Sequence, residues 1–279
     1  MQEPLYLQST QLKDYACPRR WYYNYRLKRT KPSNPNMNRG SVFHLMHELF
    51  YGGLNSIDAL KVEIANQHPE WVELINPMSV VFVLYLQKYG EDKEFYLVDG
   101  KPALEQKFTI KITDDIFVRG TIDYISKEHG RIYLEDIKVT KMYLSGYFFE
   151  QFELSWQMLL YSWVGKEIVP DAEGFRIDGV HARDNSIKFE KSFYPFSDNI
   201  ENILKEIHFI GEEIKARLST GAEPYSQDEE KNFPRQYAEC HGKFGKCPYW
   251  DVCRSKESIQ RRVIESDLFI DYIGNYDEE

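Results

Sequence analysis

Gly120-Thr121-Ile122-Asp123-Tyr124-Ile125-Ser126, a turn at Lys127-Glu128-His129-Gly130, and then Arg131-Ile132-Tyr133-Leu134-Glu135-Asp136-Ile137-Lys138 form the stretch on which the fold turns. Two runs rich in β-branched and aromatic residues around a glycine-containing turn predict a β-hairpin. Residues two apart on a strand face the same way, so Asp136 and Lys138 project together. Asp123 joins them from the neighbouring strand. Two carboxylates and a lysine in this arrangement suit holding a divalent cation against a phosphodiester, because Mg²⁺ and Mn²⁺ favour oxygen ligands and can activate water. Lys138 would position or deprotonate that water, or offset charge growing on the phosphate. The competing reading is a surface hairpin with routine charges, against which Leu134 and Val139 give the second strand a buried side.

Outward from the hairpin, Gln157 and Tyr161 sit four apart on one face of the apolar segment 154–164, which predicts a helix. Toward the N-terminus, Gly40 precedes His44 by four residues on a segment, 41–51, that reads as a helix ended by Gly52-Gly53. His47 is a rival to His44 on nearly the same face. The string His44-Leu45-Met46-His47-Glu48 lacks the further histidine that a zinc-protease motif requires.

The order Gly-x-x-x-His, Gly-x-x-Asp, Asp-x-Lys, Gln-x-x-x-Tyr resembles the PD-(D/E)xK nuclease superfamily in its RecB-like branch, over residues 15–255. The resemblance implies an α/β fold, a mixed central sheet flanked by helices (a restriction-endonuclease-like core) with an inserted helical subdomain. It implies Asp123, Asp136, Lys138, Gln157 and Tyr161 as catalytic residues. It assigns the metal to His44, Asp123, Asp136 and the backbone carbonyl of Ile137, and Glu105 resembles a family glutamate facing the same metal.

Composition bounds the rest. The 279 residues are 42% hydrophobic and 28% charged, as in an ordinary soluble protein. No apolar run reaches the ~20 residues that span a bilayer. Met1-Gln2-Glu3-Pro4 lacks the basic and apolar regions of a secretory signal, so a cytoplasmic protein, phage-encoded or cellular, with no membrane partner is expected. A net charge of −9 argues against a protein that coats DNA non-specifically. The acidity concentrates in a tail from Glu265 to Glu279, whereas Arg19, Arg20, Arg26, Lys28, Arg29, Lys31 and Arg39 form a basic N-terminal stretch. The expected organisation is an N-terminal cysteine segment with the His44 helix (1–53), a helical insertion broken at Pro69 and Pro77 (54–101), a nuclease core (102–220), and a cysteine cluster with the acidic tail (221–279).

Cys17 stands alone near one end, and Cys240, Cys247 and Cys253 cluster near the other. An intracellular chain has little use for disulfides, and four thiolates suit an iron–sulfur cluster or tetrahedral zinc. Cys17-Pro18-Arg19-Arg20-Trp21 and Cys247-Pro248-Tyr249-Trp250-Asp251-Val252-Cys253 resemble the cysteine segments of iron–sulfur nucleases related to AddB and to the CRISPR-associated exonucleases. That resemblance implies a structural [4Fe-4S] cluster, with Zn²⁺ as the alternative. The six residues between Cys240 and Cys247 depart from the two found in many of those relatives.

The chain holds 20 Tyr and 17 Phe, some of them interleaved with arginines at Trp21, Tyr22, Tyr23 and Tyr25. Rings of this kind can stack bases. Arg19 and Arg20 beside them, with Tyr161, are the expected nucleic-acid contacts. The function implied is a metal-dependent DNA exonuclease acting on single-stranded ends in recombination, repair or phage DNA processing. The alternatives are a flap or junction endonuclease, and a non-catalytic scaffold that keeps the fold. No phosphate-binding Gly-x-x-x-x-Gly-Lys-Ser/Thr loop occurs, so any helicase or recombination partner is a separate chain.

Overall fold

The hairpin forms as its pattern predicts, with Tyr124 opposite Glu135 and Glu128 opposite Arg131. The computed structural model describes residues 3–32, 35–90, 93–183, 186–242 and 245–271, so most of the acidic tail lies outside them. The strands of the main sheet are β1 (Leu5–Leu7), β2 (Leu104–Lys111), β3 (Ile116–Glu128), β4 (Arg131–Thr140), β5 (Ala172–Arg183) and β6 (Ser186–Pro195). They run in the order β1-β3-β4-β5-β6, with β2 also on β3. The β3/β4 and β5/β6 pairs are antiparallel and β4/β5 is parallel, so the sheet is mixed and flanked by helices. No helix among the described residues is long and apolar enough to cross a membrane.

The chain divides into two units. One, 33–110 with 119–203, contains α1 (Pro35–Tyr51), α2 (Ile57–Gln67), α3 (Val72–Tyr89), α4 (Gly146–Glu153) and α5 (Trp156–Ile168). Its core packs Phe43 and Met46 of α1, Leu60 of α2, and Phe82 and Tyr85 of α3 on Tyr124, Ile137 and Val180 of the sheet. Helices α2 and α3 therefore share one core with the strands. Pro77, expected to break a helix, lies inside α3. An interior proline costs ~3 kcal/mol. The buried stripe Ile75, Met78, Phe82 and Tyr85 offsets it, each large apolar side chain contributing ~1.5–3 kcal/mol. The parallel β4/β5 connection carries α4 and α5, whose first turns are capped by Ser145 and Ser155 accepting from the Phe148 and Met158 N–H groups.

The other unit, 1–32, 111–118 and 204–279, is aromatic at its centre. Trp21 stacks on Phe233 with ring centroids 5.6 Å apart, and Tyr249 stacks on Phe269 at 5.5 Å. The aromatic and basic N-terminal stretch is a helix at Ser9–Asp14, another at Pro18–Trp21, and a wider π-turn at Tyr22–Arg26. Trp21, Tyr22 and Tyr23 are buried, and so is Arg19, which pairs with Glu230 and donates to the Phe233 carbonyl at 2.7 Å. These rings are core, not a surface for bases.

Candidate metal centre

Strand alternation places Asp136 and Lys138 on one face of β4 and sends the Ile137 side chain into the opposite core. Asp123, on β3, reaches across to accept the Ile137 N–H at 2.6 Å. His44 arrives from α1, with Nε2 3.0 Å from the Ile137 carbonyl and Nδ1 3.4 Å from Asp123 Oδ2. Glu105, at the start of β2, brings Oε1 to 3.9 Å from the same Nδ1. His44, Glu105 and Asp123 are the one group of three or more potential ligands, among the described residues, whose donor atoms all lie within 4.8 Å of one another. Glu105 holds this position with φ of 44°, a left-handed conformation that costs a non-glycine residue of order 1 kcal/mol or more.

Asp136 stands beside this trio. Its Oδ1 accepts from Gln157 Nε2 at 2.6 Å and its Oδ2 is 2.6 Å from Lys138 Nζ. Gln157 in turn accepts from Lys138 at 3.0 Å, so one amide locks both partners. Tyr161, buried, donates to the Thr121 carbonyl at 2.8 Å and lies 3.4 Å from Asp136. Thr121 lies two residues before Asp123 on β3, and sequence alone does not single out its carbonyl. Gly120 is required for packing: a Cβ there would fall 2.6 Å from the Phe108 ring.

Burial, partly offset by the His44 and Lys138 cations, raises the Asp123 pKa. Burial likewise pushes Asp136 up to about 6 against the pull of Lys138. Burial works against the His44 imidazolium, but Asp123 and then Glu105 outweigh it and push the histidine up to about 9. Two carboxylates and a carbonyl thus converge on one cationic ring, a donor set rich in oxygen with a single imidazole. That set fits Mg²⁺ or Mn²⁺. His47 lies elsewhere, in an aromatic box of Tyr51, Tyr85, Phe95 and Tyr124. Burial holds its pKa well below the ordinary value, and it is not a member of the trio.

The cysteines leave one expectation without support. A mononuclear zinc site with bonds of about 2.3 Å gathers its sulfurs within roughly 4 Å of one another. No three of Cys17, Cys240, Cys247 and Cys253 come within 4.8 Å of one another, and all four are free. Neither the iron–sulfur cluster nor the zinc alternative finds support in this geometry. Burial pushes the Cys253 thiol up to about 11 and raises Cys247, with neighbouring cysteines adding to both shifts. The Cys240 sulfur lies 3.9 Å from the Gln236 carbonyl. Of the expected nucleic-acid contacts, Arg19 is 8% exposed and tied to Glu230, Arg20 pairs with Asp14 at 3.1 Å, and Tyr161 is buried.

Residues 9–254 match the sequence profile of the PD-(D/E)XK nuclease superfamily. No curated protein matches the chain. Among solved structures, a provisionally assigned exonuclease from Eubacterium rectale is similar at 14% identity, with 89% of this chain and 87% of that chain covered and a TM-score of 0.52. That likeness is one of fold. The structure of SSO0001 aligns at 15% identity over 81% of this chain and 82% of that one, with a TM-score of 0.33.

Proposed function

Because the chain belongs to the PD-(D/E)XK nuclease superfamily, we propose that it is a Mg²⁺- or Mn²⁺-dependent deoxyribonuclease of the RecB-like branch that degrades DNA from single-stranded ends. The observation that carries this reading is the convergence of His44, Glu105 and Asp123 beside the Asp136–Lys138 pair. His44, Asp123 and Glu105 would hold the cation, with Asp136 and the Ile137 carbonyl at its edge. The bound ion would supply Lewis acidity and an activated water.

The chain's own groups do the remaining work. Lys138 Nζ is aimed by Asp136 and Gln157 and carries its charge to the phosphate oxygens or a proton to the leaving oxygen. Gln157 accepts from Lys138 and donates to Asp136, which fixes the orientation of its amide. Tyr161 ties α5 to the Thr121 carbonyl and holds the two strands at one spacing. It is a positioning residue. The preference for ends is not written in the motif; the resemblance to CRISPR-associated exonucleases and the exonuclease assignment of the Eubacterium rectale neighbour favour it. Four free cysteines suit a reducing, intracellular compartment. With no nucleotide-binding loop in the sequence, a helicase or recombination protein would be a separate partner in repair, recombination or phage DNA processing.

The test is digestion of end-labelled linear and of circular single-stranded DNA with Mg²⁺ or Mn²⁺, alongside Lys138→Ala. Loss of the linear substrate alone, abolished by the substitution, is expected. Cutting of the circle would replace the reading by an endonuclease, and no cutting of either by folded protein would leave a DNA-binding scaffold.

A further inference from the structure

Thr140 is two residues beyond Lys138 on the same face of β4, and His181 is its register partner on β5. His181 thus lies about 8 Å from Lys138 by strand spacing, on the catalytic face. Its imidazole is fully buried, and Nδ1 is 2.8 Å from the Met142 carbonyl. A carbonyl only accepts, so Nδ1 donates in this bond and Nε2 is the ring's other nitrogen. That Nε2 is buried with no hydrogen-bond partner among the described residues. A buried unsatisfied nitrogen is unfavourable for stability and calls for another reason to be there.

Directly over it lies Tyr143, with ring centroids 5.2 Å apart and planes 18° from parallel. Tyr143 is nonetheless 63% exposed. The chain holds a large aromatic ring flat on a rigid base and leaves most of it in water. Lys188, the cross-strand partner of His181, brings its ammonium to 6.0 Å from the ring centre. The segment is pressed onto the sheet because Gly179, opposite Lys138, has no side chain. A Cβ there would fall 2.9 Å from Leu144 and 3.1 Å from Phe149. Lys138 Nζ is 6.0 Å from the Phe152 ring of α4, and Leu154, which ends that helix, is 81% exposed.

We propose that Tyr143, backed by His181, is the platform on which the nucleobase next to the cleaved phosphodiester stacks, with Lys188 meeting its phosphate and Leu154 bounding the other side of the strand. A base can lie on this ring only when it has left a duplex, so the platform selects single-stranded substrate. The inference deepens the nuclease reading and rests on it.

The test separates the two. Binding of a single-stranded oligonucleotide is measured by fluorescence anisotropy in EDTA, at fixed salt, for the full chain and for Tyr143→Ala and Tyr143→Trp. A set of oligonucleotides lacking one base at a time is run alongside. Tyr143→Ala is expected to weaken binding about five- to a hundredfold, and Tyr143→Trp to preserve it. One base-free position should weaken the natural chain and leave Tyr143→Ala unmoved, a coupling that a merely structural role would not produce. Duplex binding should be equal in all three. If Tyr143→Ala binds single strands as the natural chain does while Mn²⁺-dependent digestion persists, the platform is overturned and the nuclease stands. If the natural chain neither binds single strands nor cuts DNA, both fall.

Discussion

His44, Glu105 and Asp123 present their donor atoms within 4.8 Å of one another, while Cys17, Cys240, Cys247 and Cys253 do not, although both sets draw on residues far apart in the sequence. The difference lies in what orders each set. Asp123 and the Ile137 backbone are fixed by the β3/β4 ladder, and His44 by a helix whose Phe43 and Met46 are buried in the same core. The cysteines lie on or beside short elements: Cys17 caps the turn Pro18–Trp21, Cys240 ends the turn Tyr237–Cys240, Cys247 follows the strand Gly245–Lys246, and Cys253 is in the helical turn Trp250–Arg254. Donors carried by long paired elements are held in place by the fold. Donors carried by short ones need something else to gather them. Within 4.8 Å the carboxylate centre is gathered and the sulfurs are not.

The largest expected effect sharpens that contrast. Lys138→Ala should lower kcat about ten-thousandfold, roughly 5 kcal/mol, with Mn²⁺ affinity retained. Equal loss of Mn²⁺ affinity would mean that the lysine holds the centre together rather than working within it. In the other unit Arg19→Ala should cost about 3 kcal/mol or more of unfolding free energy, because Glu230 would be left as a buried unpaired charge. Urea midpoints measure it. A change confined to the salt dependence of DNA binding would return Arg19 to the interface.

Next comes metal itself. Mn²⁺ at a hundredfold over its Kd should stabilise the chain by about 2.7 kcal/mol, an effect lost in Asp123→Asn and unaltered in Cys240→Ser. The pH dependence should change sign with it. His44 is raised from 6.5 to about 9, so in EDTA its stabilisation is fully present below pH 6.5 and is lost as pH rises through 9. Asp136, raised from 3.8 to about 6, loses its contribution as pH rises through 6. Melting temperature in EDTA should therefore fall from pH 4 to pH 9. With Mn²⁺ it should rise over that range, since the ion needs a neutral imidazole and ionised carboxylates.

Cys240→Ser should move stability by no more than ~0.5 kcal/mol if the thiols hold nothing. Stoichiometric iron, visible absorption and unfolding of this variant would break the comparison, by showing that a cluster supplies the order the short elements lack. The smallest effect is Gly40→Ala. A Cβ at Gly40 meets nothing within 4 Å, and alanine in a helix interior is favoured by ~0.5–1 kcal/mol. A gain in stability with unchanged digestion is expected, and reduced digestion would show that substrate occupies that space.

The hairpin and the helices around 154–164 and 41–51 were legible because their periodicities are local. So was the Asp136–Lys138 pair, because alternation fixes which side chains share a face. The fate of Trp21, Tyr22 and Arg19 was not. Their neighbours Phe233 and Glu230 lie more than 200 residues away, and an aromatic, basic run reads the same whether it faces DNA or a buried carboxylate. Helix α4 gives no such signal, because its eight residues bury only Phe148 and Phe149, too few to set a period. Pro77 misled because propensity is local, whereas the stripe that overrides it is judged only against Phe43 and Tyr124.

The Ile137 peptide group gives its N–H to Asp123 and its carbonyl to His44, while its side chain lies in the apolar core. A scan of substitutions at this position would therefore return the profile of a packing residue: valine tolerated, alanine destabilising, aspartate not folding. Nothing in that profile would reveal that the backbone belongs to the centre. Only an edit to the main chain itself, an ester in place of the amide after Asp136 or a weakened carbonyl before Lys138, would expose the role.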